Sequence, residues 1–225
     1  MPSCLAIPLA DTTSLEIGAT IGIPALTAYA GLFKYSNLNG ATILITGGGG
    51  SVGNCAIQMA KYAGAYVISS VSGPEKMTAA LIAGADNVLR YDTPHFVEDV
   101  LDITAGIKLD LIFDVAFGNN IEANLNIIKE HGILSTYASD NKSIAEIPFQ
   151  KFLQMNLSIY SVFMYLLEDK MMHNAIQFIT NWQTDVGIKP FIARQYDLSE
   201  TALAHQDLES RNIVGNIIID FVWDI

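Results

Sequence analysis

Four consecutive glycines, Gly47–Gly50, follow directly after a short apolar run from Ile43 to Ile45. Such a run is typical of a strand that is buried on both faces. The segment 52–63 after the glycines places apolar residues on one helical face and polar residues on the other. A strand, a glycine turn and a helix together form a site for a pyrophosphate, because N–H groups at the helix start point at the anion and glycine lets the backbone approach it.

The glycine pattern Gly48-x-Gly50-x-x-Gly53 matches the dinucleotide-binding fingerprint. A run of four glycines matches this pattern easily by chance. The dinucleotide-binding interpretation is therefore supported by its context: the strand before the glycines, the helix after them and a second apolar strand at Tyr66–Ser70. The alternative is a glycine-rich turn that binds nothing. A P-loop is excluded, because no Lys-Ser or Lys-Thr follows the glycines. The candidate cofactor-binding residues of the turn are Gly47, Gly48, Gly50, Ser51, Val52 and Gly53.

Apolar strands and helical segments alternate after this turn. The predicted strands are Ile43–Thr46, Tyr66–Val71, Asn87–Tyr91, Asp110–Val115, Ile133–Ala138 and Leu157–Met164. The predicted helices are 52–63, 74–83, 93–104 and 119–130. This alternation predicts an α/β fold, a doubly wound Rossmann domain whose six parallel strands follow the order 3-2-1-4-5-6 with helices on both faces.

Three parts are expected along the chain: a lead-in and helix at 1–40, the nucleotide-binding domain at 41–165, and C-terminal helix and strand segments at 166–225. The lead-in contains a helical segment, Leu15–Phe33, that we expect to be interrupted at Gly22 to Pro24. The tail is predicted to form helix Lys170–Thr184, strand Ile188–Tyr196, helix Ser199–Ser210 and strand Gly215–Val222. These two strands have no obvious place in the first sheet, so we expect their neighbours to be missing.

Composition limits the classes of function. Hydrophobic residues make up 51% and charged residues 16% of the 225 residues, which indicates a globular protein with a large core. The net charge of −11 argues against nucleic acid and anionic membranes as partners. Two cysteines and four scattered histidines predict neither a disulfide framework nor a metal site. No lysine or arginine precedes Lys34, as a signal peptide would require, and a cytoplasmic location is expected.

The second strand indicates which dinucleotide is bound. A NAD site places a carboxylate about 20 residues after the glycines to hold the ribose 2′-hydroxyl, but residues 68–73 contain none. Ser70 and Ser72 can instead bind a 2′-phosphate, with Lys76 at the start of the next helix and Arg90 and Tyr91 at the end of the third strand. NADP(H) is therefore the predicted cofactor. The alternative for Lys76 is a solvated helix residue.

The octapeptide Gly22 to Tyr29 (GIPALTAY), followed by the glycine turn, resembles the medium-chain dehydrogenase/reductase superfamily. The resemblance is to its zinc-independent, zeta-crystallin-like NADPH:quinone oxidoreductases. It extends through Gly84-Ala-Asp86, Asp114-Val115 and Val214-Gly215 over nearly the whole chain. The family's N-terminal GroES-like domain is absent from the sequence. A family glycine is replaced by Ser51, a lysine by Asn216, and Arg211 lies one place from a frequent family arginine.

The resemblance implies roles for particular residues. Thr27 would lie near the nicotinamide, Lys76 and Tyr91 would contact the 2′-phosphate, and Ser161, Val162 and Phe163 on the sixth strand would line the nicotinamide end. That strand is also the dimer edge of the family. We therefore expect a homodimer or higher oligomer, formed through the sixth strand or through unpaired tail strands.

The implied reaction is hydride transfer from NADPH to a quinone or another small-molecule acceptor with an activated C=C or C=O bond, without a metal. No Tyr-x-x-x-Lys pair for acid catalysis is present, and no catalytic acid is assigned. Tyr137 is one possible hydroxyl, for which a packing role is the alternative. Two other functions stay open: a non-catalytic NADPH-binding module, and an enoyl reductase fragment of a larger synthase.

Overall fold

A computed structural model describes residues 6–34, 37–139, 142–210 and 213–221. The helices are α1 Leu15–Phe33, α2 Ser51–Tyr62, α3 Pro74–Ile82, α4 Phe96–Ile103, α5 Phe117–Ile127, α6 Phe149–Met155, α7 Asp169–Asp185 and α8 Thr201–Glu209. The strands are β1 Thr42–Thr46, β2 Tyr66–Val71, β3 Asn87–Arg90, β4 Leu109–Asp114, β5 Ile128–Thr136, β6 Ser158–Ser161, β7 Ile192–Asp197 and β8 Asn216–Asp220.

Strands β1 to β6 form one parallel sheet in the order β3-β2-β1-β4-β5-β6. The predicted doubly wound order is confirmed. In the middle of the sheet Ile43 pairs with Val67 of β2 on one side and with Leu111 of β4 on the other. The chain therefore reverses its winding direction at β1, and the carboxyl ends of β1 and β4 border a crevice of the kind in which such sheets bind ligands.

Helices cover both faces of the sheet. Ile43 and Ile45 point into a core that they share with α1, α2 and α7, while Leu44 points into a core formed with α4, α5 and α6. All three side chains are fully buried. Burial on both faces explains why β1 appears in the sequence as a continuous apolar run rather than an alternating one.

Helix α1 is continuous from Leu15 to Phe33 and contains Pro24, so the interruption expected there is wrong. A proline removes one hydrogen bond from a helix, and the buried face of α1 compensates for this loss by packing. The contact with the sheet is close: a Cβ added to Gly31 would lie 2.2 Å from the Phe113 ring. By length and mean hydropathy α1 resembles a membrane span, but half of its apolar window is buried inside the fold, as in the core helix of many globular proteins.

Several boundaries differ from the sequence-based prediction. Strand β5 begins five residues earlier, at Ile128, and its pairing with β4 contains an irregularity between Leu109 and Leu111. Strand β6 ends at Ser161, and a 3-10 turn follows at Met164–Leu166. Helix α6 was not predicted. It has only seven residues, too few to display a helical period, and ends at Asn156 in the left-handed conformation.

The tail strands β7 and β8 pair with each other, in parallel, as a separate two-stranded sheet. This pairing was not predicted, because parallel partners 24 residues apart leave no hairpin turn between them. The first tail strand also begins later than expected, at Ile192. Ile188 is instead buried in the same core cluster as Trp182 of α7.

Candidate functional site

Two adjoining cavities lie at the carboxyl ends of the parallel strands. Their volumes are about 470 and 400 Å³. We call them together the cleft, the first being the turn cavity and the second the side cavity. The residues that line both are Gly47, Ser72, Lys76, Tyr91 and Val115. The cleft is thus bordered by the ends of β1, β2, β3 and β4, where the reversal of winding predicts a ligand.

The glycine turn forms the floor of the turn cavity. Gly47 has a φ of +71°, a conformation that favours glycine. Its N–H group donates to the Ser70 carbonyl at 2.8 Å, and the Gly50 N–H group donates to the Gly47 carbonyl at 2.9 Å. A Cβ on Gly53 would lie 2.2 Å from the Gly47 carbonyl oxygen, so the helix can start this close to the strand only with glycine there.

The first turn of α2 provides unpaired donors. The first helical hydrogen bond runs from the Asn54 N–H group to the Gly50 carbonyl, and no side chain caps the helix. Within the described chain, the N–H groups of Ser51, Val52 and Gly53 consequently have no hydrogen-bond acceptor. Their direction and the helix dipole favour an anion at this point. Such a cradle fits a pyrophosphate.

The end of β2 supplies polar groups to the side cavity. Ser70 is 1% exposed, and its hydroxyl oxygen has no partner among the described residues. Lys76 donates from Nζ to the Ser72 hydroxyl at 3.0 Å and is the only cation among the described residues lining the cleft. A lysine, two hydroxyls and Tyr91 can bind a phosphate ester. Arg90 is already engaged in two hydrogen bonds with the Asp92 carboxylate.

The C-terminal segment also reaches the cleft. Ile213 and Gly215 line the turn cavity, and the Gly215 N–H group donates to the Gly49 carbonyl at 3.2 Å. Neither residue was predicted as part of the site. The only sequence signal was the Val214-Gly215 match to the family, which does not reveal that this segment contacts the glycine turn.

Tyr137, just after β5, lines the turn cavity, and its ring is tilted by 36° against the Phe113 ring with 4.9 Å between the centroids. Burial, and after it the negative charge of Asp114, raises the pKa of the Tyr137 hydroxyl. The hydroxyl therefore keeps its proton at neutral pH and can act as a hydrogen-bond donor. A packing role and a site role are both compatible with this position.

The structure brings only part of the predicted set into the cleft. Gly47, Gly50, Ser51, Val52, Ser70, Ser72, Lys76 and Tyr91 line it. Thr27 is buried in α1, and Gly48 and Gly53 support the turn from behind. Ser161 and Phe163 line a separate cavity of about 310 Å³ beside Lys34 and Glu168. The roles of Thr27, Ser161, Val162 and Phe163 stay predictions.

Within the described ranges, no group of three or more His, Cys, Asp or Glu side chains is arranged to hold a metal ion. Cys55 lies fully inside the core, where burial raises the pKa of its thiol to about 12. It is therefore neither a thiolate ligand nor a nucleophile in the folded protein. Arg211, considered as a replacement for a family arginine, lies outside the described residues.

Known proteins match this chain along most of its length. The profile of the family described as "Zinc-binding dehydrogenase" matches residues 51–181. The quinone oxidoreductase of Salmonella typhimurium is 28% identical over an alignment of 218 positions, which covers 94% of this chain and 66% of the relative. The highly reducing polyketide synthase anuA of Penicillium roqueforti is 25% identical over an alignment of 236 positions, which covers 98% of this chain and 11% of the relative.

Solved structures share the fold. The quinone oxidoreductase of Thermus thermophilus, determined alone and with NADPH, superposes with a TM-score of 0.84 at 24% identity, covering 95% of this chain and 69% of that one. A mycobacterial quinone oxidoreductase gives a TM-score of 0.82 at 26% identity, covering 93% and 65%. The chain thus spans about two thirds of the quinone oxidoreductases that it matches.

Proposed function

We propose that this chain, which belongs to the zinc-binding dehydrogenase family of the medium-chain dehydrogenase/reductase superfamily, is the NADPH-binding part of a quinone oxidoreductase-like enzyme. The observation that carries the proposal is the composition of the cleft. Ser51 and Val52, two of the three residues whose N–H groups are unpaired, line the turn cavity together with Ser72, Lys76 and Tyr91. The first group fits a pyrophosphate and the second a 2′-phosphate. The 28% identity with a quinone oxidoreductase supports the same assignment.

The residues of the chain would bind and orient the cofactor. The glycine turn and the start of α2 would hold the pyrophosphate, and Lys76 with its serine neighbours would balance the charge of the 2′-phosphate. Bound NADPH supplies a hydride from its nicotinamide ring. We propose a quinone, or another small molecule with an activated C=C or C=O bond, as the acceptor, and a cytoplasmic location.

Titration with NADPH and NADH tests the proposal. We expect binding to change the fluorescence of the nicotinamide ring and to raise the melting temperature of the protein. Both effects should appear at a lower concentration of NADPH than of NADH. Equal effects of the two cofactors would contradict the proposed 2′-phosphate site. If neither cofactor has an effect, the proposed NADPH-binding function is wrong. Quinone-dependent oxidation of NADPH then tests catalysis. Binding without turnover would instead support a non-catalytic NADPH-binding module.

A second candidate is an enoyl reductase segment of a larger synthase. It is favoured by the alignment of 98% of the chain with the Penicillium roqueforti polyketide synthase. Both candidates use the same cofactor cleft, so they differ only in the acceptor. NADPH oxidation with a 2-enoyl thioester but not with a quinone would decide for the enoyl reductase.

We also propose a homodimer or higher oligomer. β6 has only one neighbour in the described sheet, and Phe163, Tyr165 and Leu166 beyond it are largely exposed. An open strand edge beside apolar side chains favours association. Sedimentation at increasing protein concentration measures this, and a monomer throughout would contradict it.

A further inference from the structure

A buried carboxylate without a cation organises one wall of the cleft. Asp114, at the end of β4, is 1% exposed and has no ion pair among the described residues. It accepts hydrogen bonds from Thr46 Oγ1 (2.9 Å), the Ala116 N–H group (2.8 Å), Asn120 Nδ2 (2.9 Å) and Asn124 Nδ2 (2.6 Å). Four donors compensate for the loss of water around a buried charge.

This arrangement determines the orientation of Asn120. An ionised carboxylate only accepts hydrogen bonds, so the NH₂ end of the Asn120 carboxamide must face Asp114. The carbonyl end, Oδ1, therefore faces away from Asp114 and receives no hydrogen bond from the described residues. Asn120 lines the side cavity, so its Oδ1 atom is available there as a hydrogen-bond acceptor. The Asp114 carboxylate holds the carboxamide in this orientation.

The other residues of the side cavity indicate which part of a dinucleotide would meet this acceptor. Ser72, Lys76 and Tyr91 line the same cavity and are the residues predicted to hold the 2′-phosphate. That phosphate is attached to the adenosine ribose, so the adenosine half would enter the side cavity. Phosphate groups are acceptors and do not match Asn120 Oδ1. The donors of the adenosine half are the ribose 3′-hydroxyl and the 6-amino group of adenine. A 6-oxo purine keeps the hydroxyl and loses the amino group, so it distinguishes the two donors.

We infer that Asn120, held in place by Asp114, is a specificity-determining residue that accepts a hydrogen bond from the 6-amino group of the adenine base. The inference rests on the proposed function, because it assumes that the cleft binds NADPH. A 6-oxo purine would place an acceptor opposite Oδ1 and lose this hydrogen bond. The site therefore selects 6-amino over 6-oxo purine dinucleotides.

The test compares NADPH with reduced nicotinamide hypoxanthine dinucleotide phosphate, in which an oxygen replaces the 6-amino group. Fluorescence titration of the full chain is expected to give roughly tenfold tighter binding of NADPH. Asn120→Ala is expected to reduce this preference to less than about twofold. The matched control is Asn126→Ala, an exposed asparagine of the same helix that contacts Lys151, and it should keep the preference.

The outcomes separate the two proposals. Equal binding of both dinucleotides by the unchanged chain overturns the role of Asn120 and leaves the NADPH site intact. A preference that persists in Asn120→Ala also overturns it. If the unchanged chain binds neither dinucleotide, the proposed function itself fails.

Discussion

The glycine turn lines the cleft and the tail sheet is joined to it through Gly215, but the two regions are stabilised very differently. The turn is fixed by β1, whose Ile43, Leu44 and Ile45 are fully buried. The tail strands β7 and β8 bury only Tyr196 and Ile218. Tyr196 and Arg194 contact the Asp207 carboxylate of α8, and Gly215 is hydrogen-bonded to the turn. The turn is therefore stabilised by the core around β1. The tail depends on a few surface contacts, because a two-stranded sheet alone is marginally stable.

Gly53→Ala gives the largest expected effect, since it affects the turn directly. The added Cβ would lie 2.2 Å from the Gly47 carbonyl oxygen, and backbone on both sides has little room to move. We expect the free energy of unfolding to fall by about 3 kcal/mol and NADPH binding to be lost. Denaturant unfolding and fluorescence titration measure the two effects. Unchanged stability would show that the turn is less rigid than the core beneath it.

Gly215→Ala tests the tail in the same way. Gly215 has a φ of +91°, and a Cβ there would lie 2.1 Å from the Phe191 carbonyl oxygen. We expect local destabilisation of β7 and β8 by about 2 kcal/mol. Amide hydrogen exchange should accelerate in these strands while β1 stays protected. Equal acceleration in β1 would contradict the independence of the two regions.

Lys76→Gln separates the two phosphate sites of the cleft. Loss of a charge-assisted contact should weaken NADPH binding about tenfold and leave NADH binding unchanged. Titration with both cofactors measures the ratio, with Lys170→Gln on the exposed face of α7 as the control. A parallel loss of NADH affinity would mean that Lys76 acts on the turn, where its Cβ lies near Gly49, rather than on the 2′-phosphate.

Gly22→Ala is expected to have the smallest effect and the opposite sign. No atom lies within 4 Å of the Cβ it would add, and Gly22 is inside α1. Alanine should raise the free energy of unfolding by about 0.5 to 1 kcal/mol. Thermal unfolding measures the increase. A decrease would indicate that Gly22 accommodates the neighbouring Pro24 in a way that alanine does not.

The sequence predicted the six-stranded sheet well because β1, β2 and β4 are buried on both faces and so appear as apolar runs. It also predicted that Ser72, Lys76 and Tyr91 lie at the cofactor site, and all three line the cleft. These residues follow the ends of β2 and β3, and the carboxyl ends of parallel strands lie at the same edge of the sheet. It missed Ile213 and Gly215, since the approach of Gly215 to Gly49 joins residues 166 positions apart. It missed the role of Asn120 because only the structure shows which side chains surround the buried Asp114 carboxylate.

The close packing of Gly31 against the Phe113 ring has a consequence for sequence variation. The volume at these two positions is shared, because a single added carbon on α1 would occupy space that the aromatic ring already fills. Substitutions at the two positions are therefore not independent. Natural variants that carry a larger residue at position 31 should compensate with a smaller one at position 113, so the pair should covary even though neither lines the cleft.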